Sequence, residues 1–221
     1  MKLYVYEHCP FCIRARMIFG LKKVPFELGV IMEGDIETPT RMVGKKVVPI
    51  LQKEEGVYMP ESMDIVHYVD QLDGSPVITG ECDPAIDAWC KENTRTVFNL
   101  AIPRFTRADF KELSTPAARD AYTQREINAF GDLDTLMSNS QTYIDTLSDA
   151  LGKIRTVQKP RKAVTVCVSM HVIFMISAES DTSRFWCAPR AGTYIVGSMK
   201  ILIKSRWRWG GRILVRRHCL H

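Results

Sequence analysis

The chain has 221 residues, 46% hydrophobic, 25% charged and 9% aromatic, which fits a globular protein of one large or two small domains and excludes a wholly disordered chain, a collagen and a disulfide-knotted miniprotein. Its net charge of +5 divides unevenly: residues 151–221 hold fourteen Lys and Arg against Glu179 and Asp181, a balance of +12, whereas residues 1–150 carry −7. No apolar run reaches the roughly 18 residues of a membrane span, and the start, Met1-Lys2-Leu3-Tyr4-Val5-Tyr6-Glu7-His8, lacks the basic-then-apolar order of a secretory leader, so the expectation is a cytoplasmic protein. Seven cysteines are too few and too unevenly spaced for a secreted disulfide framework, and two form a Cys-x-x-Cys pair; redox chemistry or metal is expected rather than staples.

Leu3-Tyr4-Val5-Tyr6 is rich in β-formers, and a helix is predicted from about Phe11 to Phe19, ending at Gly20. A second strand is predicted over Phe26–Met32, then a short helix with Thr38 as cap, Pro39 at its first position and Gly44 as its stop. Val47–Gln52 and Val57–Met59 read as strands joined by a hairpin turn at Gly56. From Ser62, Ile65, Val66, Val69 and Leu72 share one helical face, with Asp64, His67 and Asp70 mostly elsewhere. The order is β-α-β-α-β-β-α over residues 1–72. Asp73-Gly74-Ser75-Pro76 opens a linker to residue 83. A helical domain is expected over 84–152: Asp83-Pro84 and Thr115-Pro116 are start signals, Ile86, Trp89, Cys90, Val97 and Phe98 form one stripe, and Phe130, Leu133, Met137, Ile144, Leu147 and Leu151 another, with a break near Ser138-Asn139-Ser140.

The strongest chemical signal is Cys9-Pro10-Phe11-Cys12 between the first strand and the first helix. Residues three apart at a helix start share a side. Cys9 at the terminus has the N–H groups and dipole that favour a thiolate, so it is the expected nucleophile. Cys12, one turn inside, is the expected resolving thiol. Pro10 stiffens the loop. A zinc pair is the alternative, but it needs two further ligands, and the remaining Cys and His are scattered. Val48-Pro49 opens the third strand; a cis bond there would leave the Val48 backbone groups free to pair with an extended peptide thiol, and an ordinary edge-strand proline is the other reading. Ser62 reads as an N-cap, and the same geometry makes a carboxylate site, with Glu61 placed to pair with an amino group. Arg14, Arg16, Lys22 and Lys23 either bring positive charge near the thiols or form a solvated face. Cys82 and Cys90 read as structural or incidental, and His8 either tunes Cys9 or faces solvent.

Cys9-Pro10-Phe11-Cys12, Thr38-Pro39-Thr40-Arg41-Met42-Val43-Gly44, Val47-Val48-Pro49-Ile50-Leu51, Glu61-Ser62-Met63-Asp64-Ile65, Pro103-Arg104-Phe105 and Ser114-Thr115-Pro116-Ala117-Ala118-Arg119 follow in order. In these residues the chain resembles the bacterial glutaredoxin 2 family over residues 1–150. The resemblance implies a thioredoxin-like α/β domain (1–72) followed by an all-α domain, the architecture of glutathione transferases. It implies a glutathione-dependent thiol-disulfide oxidoreductase with Cys9 as the glutathionylated nucleophile and Cys12 as its partner. Glutathione would lie against the Val48 backbone beside cis-Pro49, with Glu61 and Ser62 taking its γ-glutamyl end. Phe11 stands where the family usually has Tyr. Protein disulfides and glutathionylated proteins are the expected partners of a monomer needing no metal.

Residues 153–221 depart from that pattern. Val164–Val168 and Val172–Ile176 are short apolar runs, Arg206-Trp207-Arg208-Trp209-Gly210-Gly211 is a basic aromatic cluster, and no capped amphipathic helix continues the stripe. Translation in a shifted reading frame would produce such a segment, and would strip cover from Trp89, Phe98, Leu133 and Leu147. Two competing functions remain: a glutathione transferase acting on electrophiles, which the Cys pair argues against, and a nucleic-acid or anionic-membrane binder working through the basic aromatic tail.

Overall fold

The first strand, β1 (Lys2–Val5), buries Leu3 and Val5 and leaves Lys2 and Tyr4 half-buried, the period of two of a sheet packed on a core. The computed structural model to which it belongs describes residues 1–78 and 84–157. The expectations for the tail from residue 158 and for Cys82 lie outside the described residues, as does the side chain of Ile86.

After β1 come α1 (Pro10–Lys22), β2 (Glu27–Val30), α2 (Glu37–Val43), β3 (Ile50–Glu54), β4 (Val57–Pro60) and α3 (Ser62–Gln71). This is the expected β-α-β-α-β-β-α order. The sheet runs β2-β1-β3-β4, with β1 parallel to β2 and both β1–β3 and β3–β4 antiparallel. A parallel neighbour requires a crossover, which α1 supplies. Leu3, Val5, Ile18, Phe19, Ile50, Leu51, Ile65 and Val69 form the core between sheet and helices.

Local chemistry moves several expected boundaries. Helix α1 does not stop at Gly20: it ends at Lys22, capped by Lys23 in the left-handed conformation (φ 54°), while the Val24 amide donates to Phe19 O at 2.9 Å, a six-to-one closure. Thr38 is not the cap of α2; it lies inside the helix, and Asp35 Oδ1 accepts its amide at 2.9 Å. Gly44 does end α2, at φ 76°. Asp70 is buried rather than facing solvent, and its two oxygens accept the amides of Val77 and Ile78 at 2.8 and 3.0 Å. One α3 side chain thereby fixes the start of the linker, and its desolvation is offset by two charge-assisted bonds.

The second half is helical: α4 (Pro84–Phe105), a 3-10 turn (Lys111–Leu113), α5 (Pro116–Phe130), α6 (Leu133–Ser138) and α7 (Ser140–Val157). Thr115 caps α5 by accepting the Ala118 amide at 3.2 Å, with Pro116 at the first position, as its sequence signal predicts. The stripe from Phe130 breaks twice, at Asn139 as expected and earlier at Gly131 (φ 87°), where Asp132 caps α6. Helix α7 runs past residue 152 to Val157. Trp89, Leu133 and Leu147 are buried and Phe98 packs against them, and the Trp89 indole donates to Ala150 O at 2.8 Å.

The two halves meet at the 3-10 turn. The Lys111 amide donates to Glu7 Oε2 at 2.9 Å, and the Glu33 amide to Glu112 O at 3.0 Å. Arg125 on α5 reaches Glu33 at 2.6 Å.

Candidate active site

Three loops converge at one end of the sheet because of strand register. Tyr4 pairs with Ile50, and Ile50 with Pro60. The chain leaving β1 toward Cys9, the chain entering β3 through Val48-Pro49 and the chain leaving β4 into Glu61-Ser62 therefore emerge on the same edge. Two antiparallel pairings make this unavoidable.

Cys9 is the N-cap residue of α1, with Pro10 at the first helical position, and its carbonyl accepts the Ile13 amide at 3.0 Å. Both cysteines are buried, Cys9 less completely than Cys12 (8% against 0% exposed). Both are free thiols. A hydrogen bond from the Cys12 thiol, the Cys12 and Phe11 amides and the nearby His8 lower the Cys9 thiol to about 7 despite burial. Burial, the bond to Cys9 and the Cys9 charge push Cys12 well above its ordinary value, with Glu112 adding to the effect. Near neutrality Cys9 is thus close to half thiolate while Cys12 keeps its proton. Phe11 is 50% exposed beside them, and the Arg14 guanidinium lies 5.5 Å from its ring centroid.

The Val48-Pro49 bond is cis, Pro49 is buried, and the ladder of β3 begins only at Ile50, which leaves the Val48 backbone outside the sheet pairing. Val48 packs against the core cluster that contains both cysteines. Ser62 is buried but is not the N-cap: it is the first residue of α3, and Glu61 holds the cap position in a left-sided conformation (φ 71°) rare for a non-glycine residue. Ser62 Oγ has no hydrogen-bond partner among the described residues, and the first-turn amides beside it lack intrahelical acceptors by construction. The exposed Glu61 carboxylate is 2.9 Å from Lys45 Nζ.

Of the four cations considered near the thiols, Lys22 and Lys23 sit at the far end of α1, about 20 Å away at 1.5 Å per residue, where Lys22 pairs with Asp73 at 2.5 Å. Arg16 is buried. Cys90 is a buried thiol on α4. Residues that sequence reasoning passed over are Glu112 and Lys45. Neither carries a local signal, since Glu112 reaches His8 across 104 residues and Lys45 meets Glu61 only through the fold. His8 does not face solvent; it is buried, with its Nδ1 2.7 Å from Glu112 Oε1. Among the described residues, no three His, Cys, Asp or Glu side chains cluster as metal ligands, and no helix is long and apolar enough to cross a membrane.

A four-stranded α/β domain carrying a dithiol at a helix start, joined to a helical domain that packs on its active edge, defines the glutathione-transferase-like class of thioredoxin-fold proteins. Comparison with known proteins narrows this. Residues 3–77 match the family described as glutathione S-transferase, N-terminal domain, and residues 85–177 match glutaredoxin 2, C terminal domain. The curated glutaredoxin 2 of Escherichia coli K12 is 50% identical over 161 residues, 72% of this chain and 75% of that protein. The crystal structure of glutaredoxin 2 from Salmonella typhimurium in complex with glutathione superposes with a TM-score of 0.76 at 43% identity, covering 80% of this chain and 84% of that one. The glutathione transferase GSTFuA3 of Phanerochaete chrysosporium shares the fold alone, with a TM-score of 0.63 at 13% identity over 79% of this chain and 83% of that one. The chain belongs to the glutaredoxin 2 family.

Proposed function

We propose that the protein is a glutathione-dependent thiol-disulfide oxidoreductase acting through Cys9 and Cys12. The observation that carries this reading is the unequal pair: Cys9 at the helix start, lowered to about 7, next to a more deeply buried Cys12 that retains its proton. A nucleophile poised near ambient pH is the effective attacking thiol.

The Cys9 thiolate attacks the glutathione sulfur of a protein-glutathione mixed disulfide. The protein thiolate leaves and takes a proton, and Cys9 carries glutathione. A second glutathione thiolate attacks that sulfur, giving oxidised glutathione and restoring the Cys9 thiolate. With a protein disulfide, Cys9 attacks one sulfur, and Cys12 then loses its proton and attacks Cys9. This releases the second substrate thiol and leaves a Cys9–Cys12 disulfide, which two glutathione molecules reduce. The glutathione backbone pairs with Val48 beside cis-Pro49 as a short added strand. The α-carboxylate of its γ-glutamyl end lies at Ser62 and the first-turn amides of α3, and its amino group meets Glu61 in place of Lys45. Glutathione bound to the Salmonella relative and the matching architecture support this placement.

The test is glutathione-dependent reduction of a mixed disulfide by the purified chain, coupled to glutathione reductase, beside conjugation of glutathione to an electrophile. Reduction without conjugation is expected. Conjugation without reduction would replace the reading with a transferase.

A further inference from the structure

Glu112, in the 3-10 turn of the helical half, is 0% exposed, and its Oε1 accepts two bonds from a single residue, the His8 amide at 3.0 Å and His8 Nδ1 at 2.7 Å. A carboxylate only accepts, so Nδ1 carries its proton and the ring orientation is fixed. The second oxygen, Oε2, is buried and has no partner among the described residues. A buried carboxylate with one oxygen unpaired is a poor stabiliser, and an apolar side chain would fill the same space at lower cost. What the position gains is the hold on His8.

His8 immediately precedes Cys9. Its ring lies in an aromatic box, stacked on Tyr6 with centroids 5.7 Å apart and flanked by Phe105 at 5.7 Å, Phe110 at 5.6 Å and Tyr122 at 4.8 Å. Three of those four rings, and the carboxylate, come from the helical half. The backbone and side chain of the residue before the nucleophile are thus gripped from a segment 104 residues away. We propose that Glu112 is a positioning residue for the dithiol, acting through His8, so that Cys9 is presented in reactive form only when the helical half is docked. This rests on the reading of Cys9 as the nucleophile. The field of His8 at Cys9 and of Glu112 at Cys12 is consistent with it.

The experiment uses the full chain, reduced, and measures the alkylation rate of Cys9 by iodoacetamide at pH 7 and the dithiol–disulfide equilibrium in glutathione buffers. Glu112→Ala should slow alkylation about fivefold, the fall in thiolate fraction at pH 7 when a thiol near 7 rises by one pK unit, and shift the equilibrium. Glu112→Gln, which keeps an oxygen acceptor for both His8 donors, should recover most of the rate. Arg125→Ala breaks a different bridge between the halves, Arg125–Glu33, and should leave the rate within about twofold, well inside one pK unit. A native rate in Glu112→Ala, a glutamine variant as slow as the alanine one, or an equal loss in Arg125→Ala overturns the proposal. If Glu112→Ala does not fold, His8→Phe gives the same readout: it fills the box without the Nδ1 donor and should also be slow, and a native rate there overturns the proposal. Native protein in which Cys9 is not alkylated ahead of Cys12 rejects the dithiol reading itself, before any variant is compared.

Discussion

The Cys12 thiol donates a hydrogen bond to the Cys9 sulfur, and this bond is the largest influence lowering Cys9 to about 7. The sign of the pH dependence follows: below that value Cys9 is a thiol, above it a thiolate, so alkylation should climb through pH 7 and level off about one unit higher. Cys12→Ala removes the donor and should move the midpoint upward by about one unit, whereas Cys12→Ser, which keeps a hydroxyl donor, should fall between. A pH profile of single-cysteine labelling read by mass spectrometry checks this; an unmoved midpoint in Cys12→Ala would show that the helix terminus alone sets the thiolate.

Cys9→Ser should abolish thiol transfer on every substrate, because no other described thiol occupies the N-cap of a helix. Cys12→Ser should retain deglutathionylation of small mixed disulfides, where free glutathione resolves Cys9, and lose protein disulfide reduction. Parallel assays on the two substrate types decide it, and equal loss in both variants would end the division of roles.

Ser62→Ala should raise KM for glutathione with little change in melting temperature. The hydroxyl has no partner to lose among the described residues, and Glu61, not Ser62, holds the cap position. A true cap would cost about 1 kcal/mol, so the melting curve separates the two roles. Glu61→Gln should weaken glutathione use similarly, since it removes charge opposite an amino group while keeping shape.

Asp70→Ala should destabilise the protein by about 2 kcal/mol, because two linker amides lose their acceptor. Asp70→Asn keeps one oxygen acceptor but replaces the other by a donor, and should recover part of the loss. Denaturant midpoints measure both, and a neutral alanine variant would show that water satisfies these amides equally well.

The element order of the first half was legible because strand alternation, Pro at helix starts and Gly44 are local rules, and the chain obeys them. The misread ends share one cause: the group that closes each end is a neighbour of the residue the local pattern singles out. Gly20 could have ended α1, but the helix runs on to Lys22 and closes at Lys23. Ser62 has cap chemistry, yet the turn at Glu61 with φ 71° places it one position inside. Cys9 and Cys12 were visible as a spaced pair, and Val48-Pro49 and Glu61-Ser62 as neighbours of strand ends; only the register Tyr4–Ile50–Pro60 brings them to one edge. The Glu112–His8 contact had no signature, since long-range pairing of one acid with one histidine leaves no local pattern. The match to the glutaredoxin 2 C-terminal domain extends to residue 177, past the change in composition read at 152.

The bridge between Glu33 and Arg125 offers a test of how the halves are joined. The Glu33 side chain is 2% exposed and its Oε1 is shared between Arg125 at 2.6 Å and Lys46 at 3.3 Å, while Oε2 has no partner among the described residues. Removing Arg125 leaves that buried carboxylate with one distant cation. Arg125 is itself 46% exposed, so Arg125→Ala should cost about 2 kcal/mol, less than the 3–5 kcal/mol of a fully buried pair. Glu33→Gln added to Arg125→Ala should recover part of the loss, because the stranded charge disappears and an amide of the same shape remains. A double-mutant cycle in denaturant gives the coupling. Additive losses would mean that Lys46 alone satisfies Glu33 and that Arg125 contributes only its packing over the Tyr122 ring, 5.0 Å from the guanidinium.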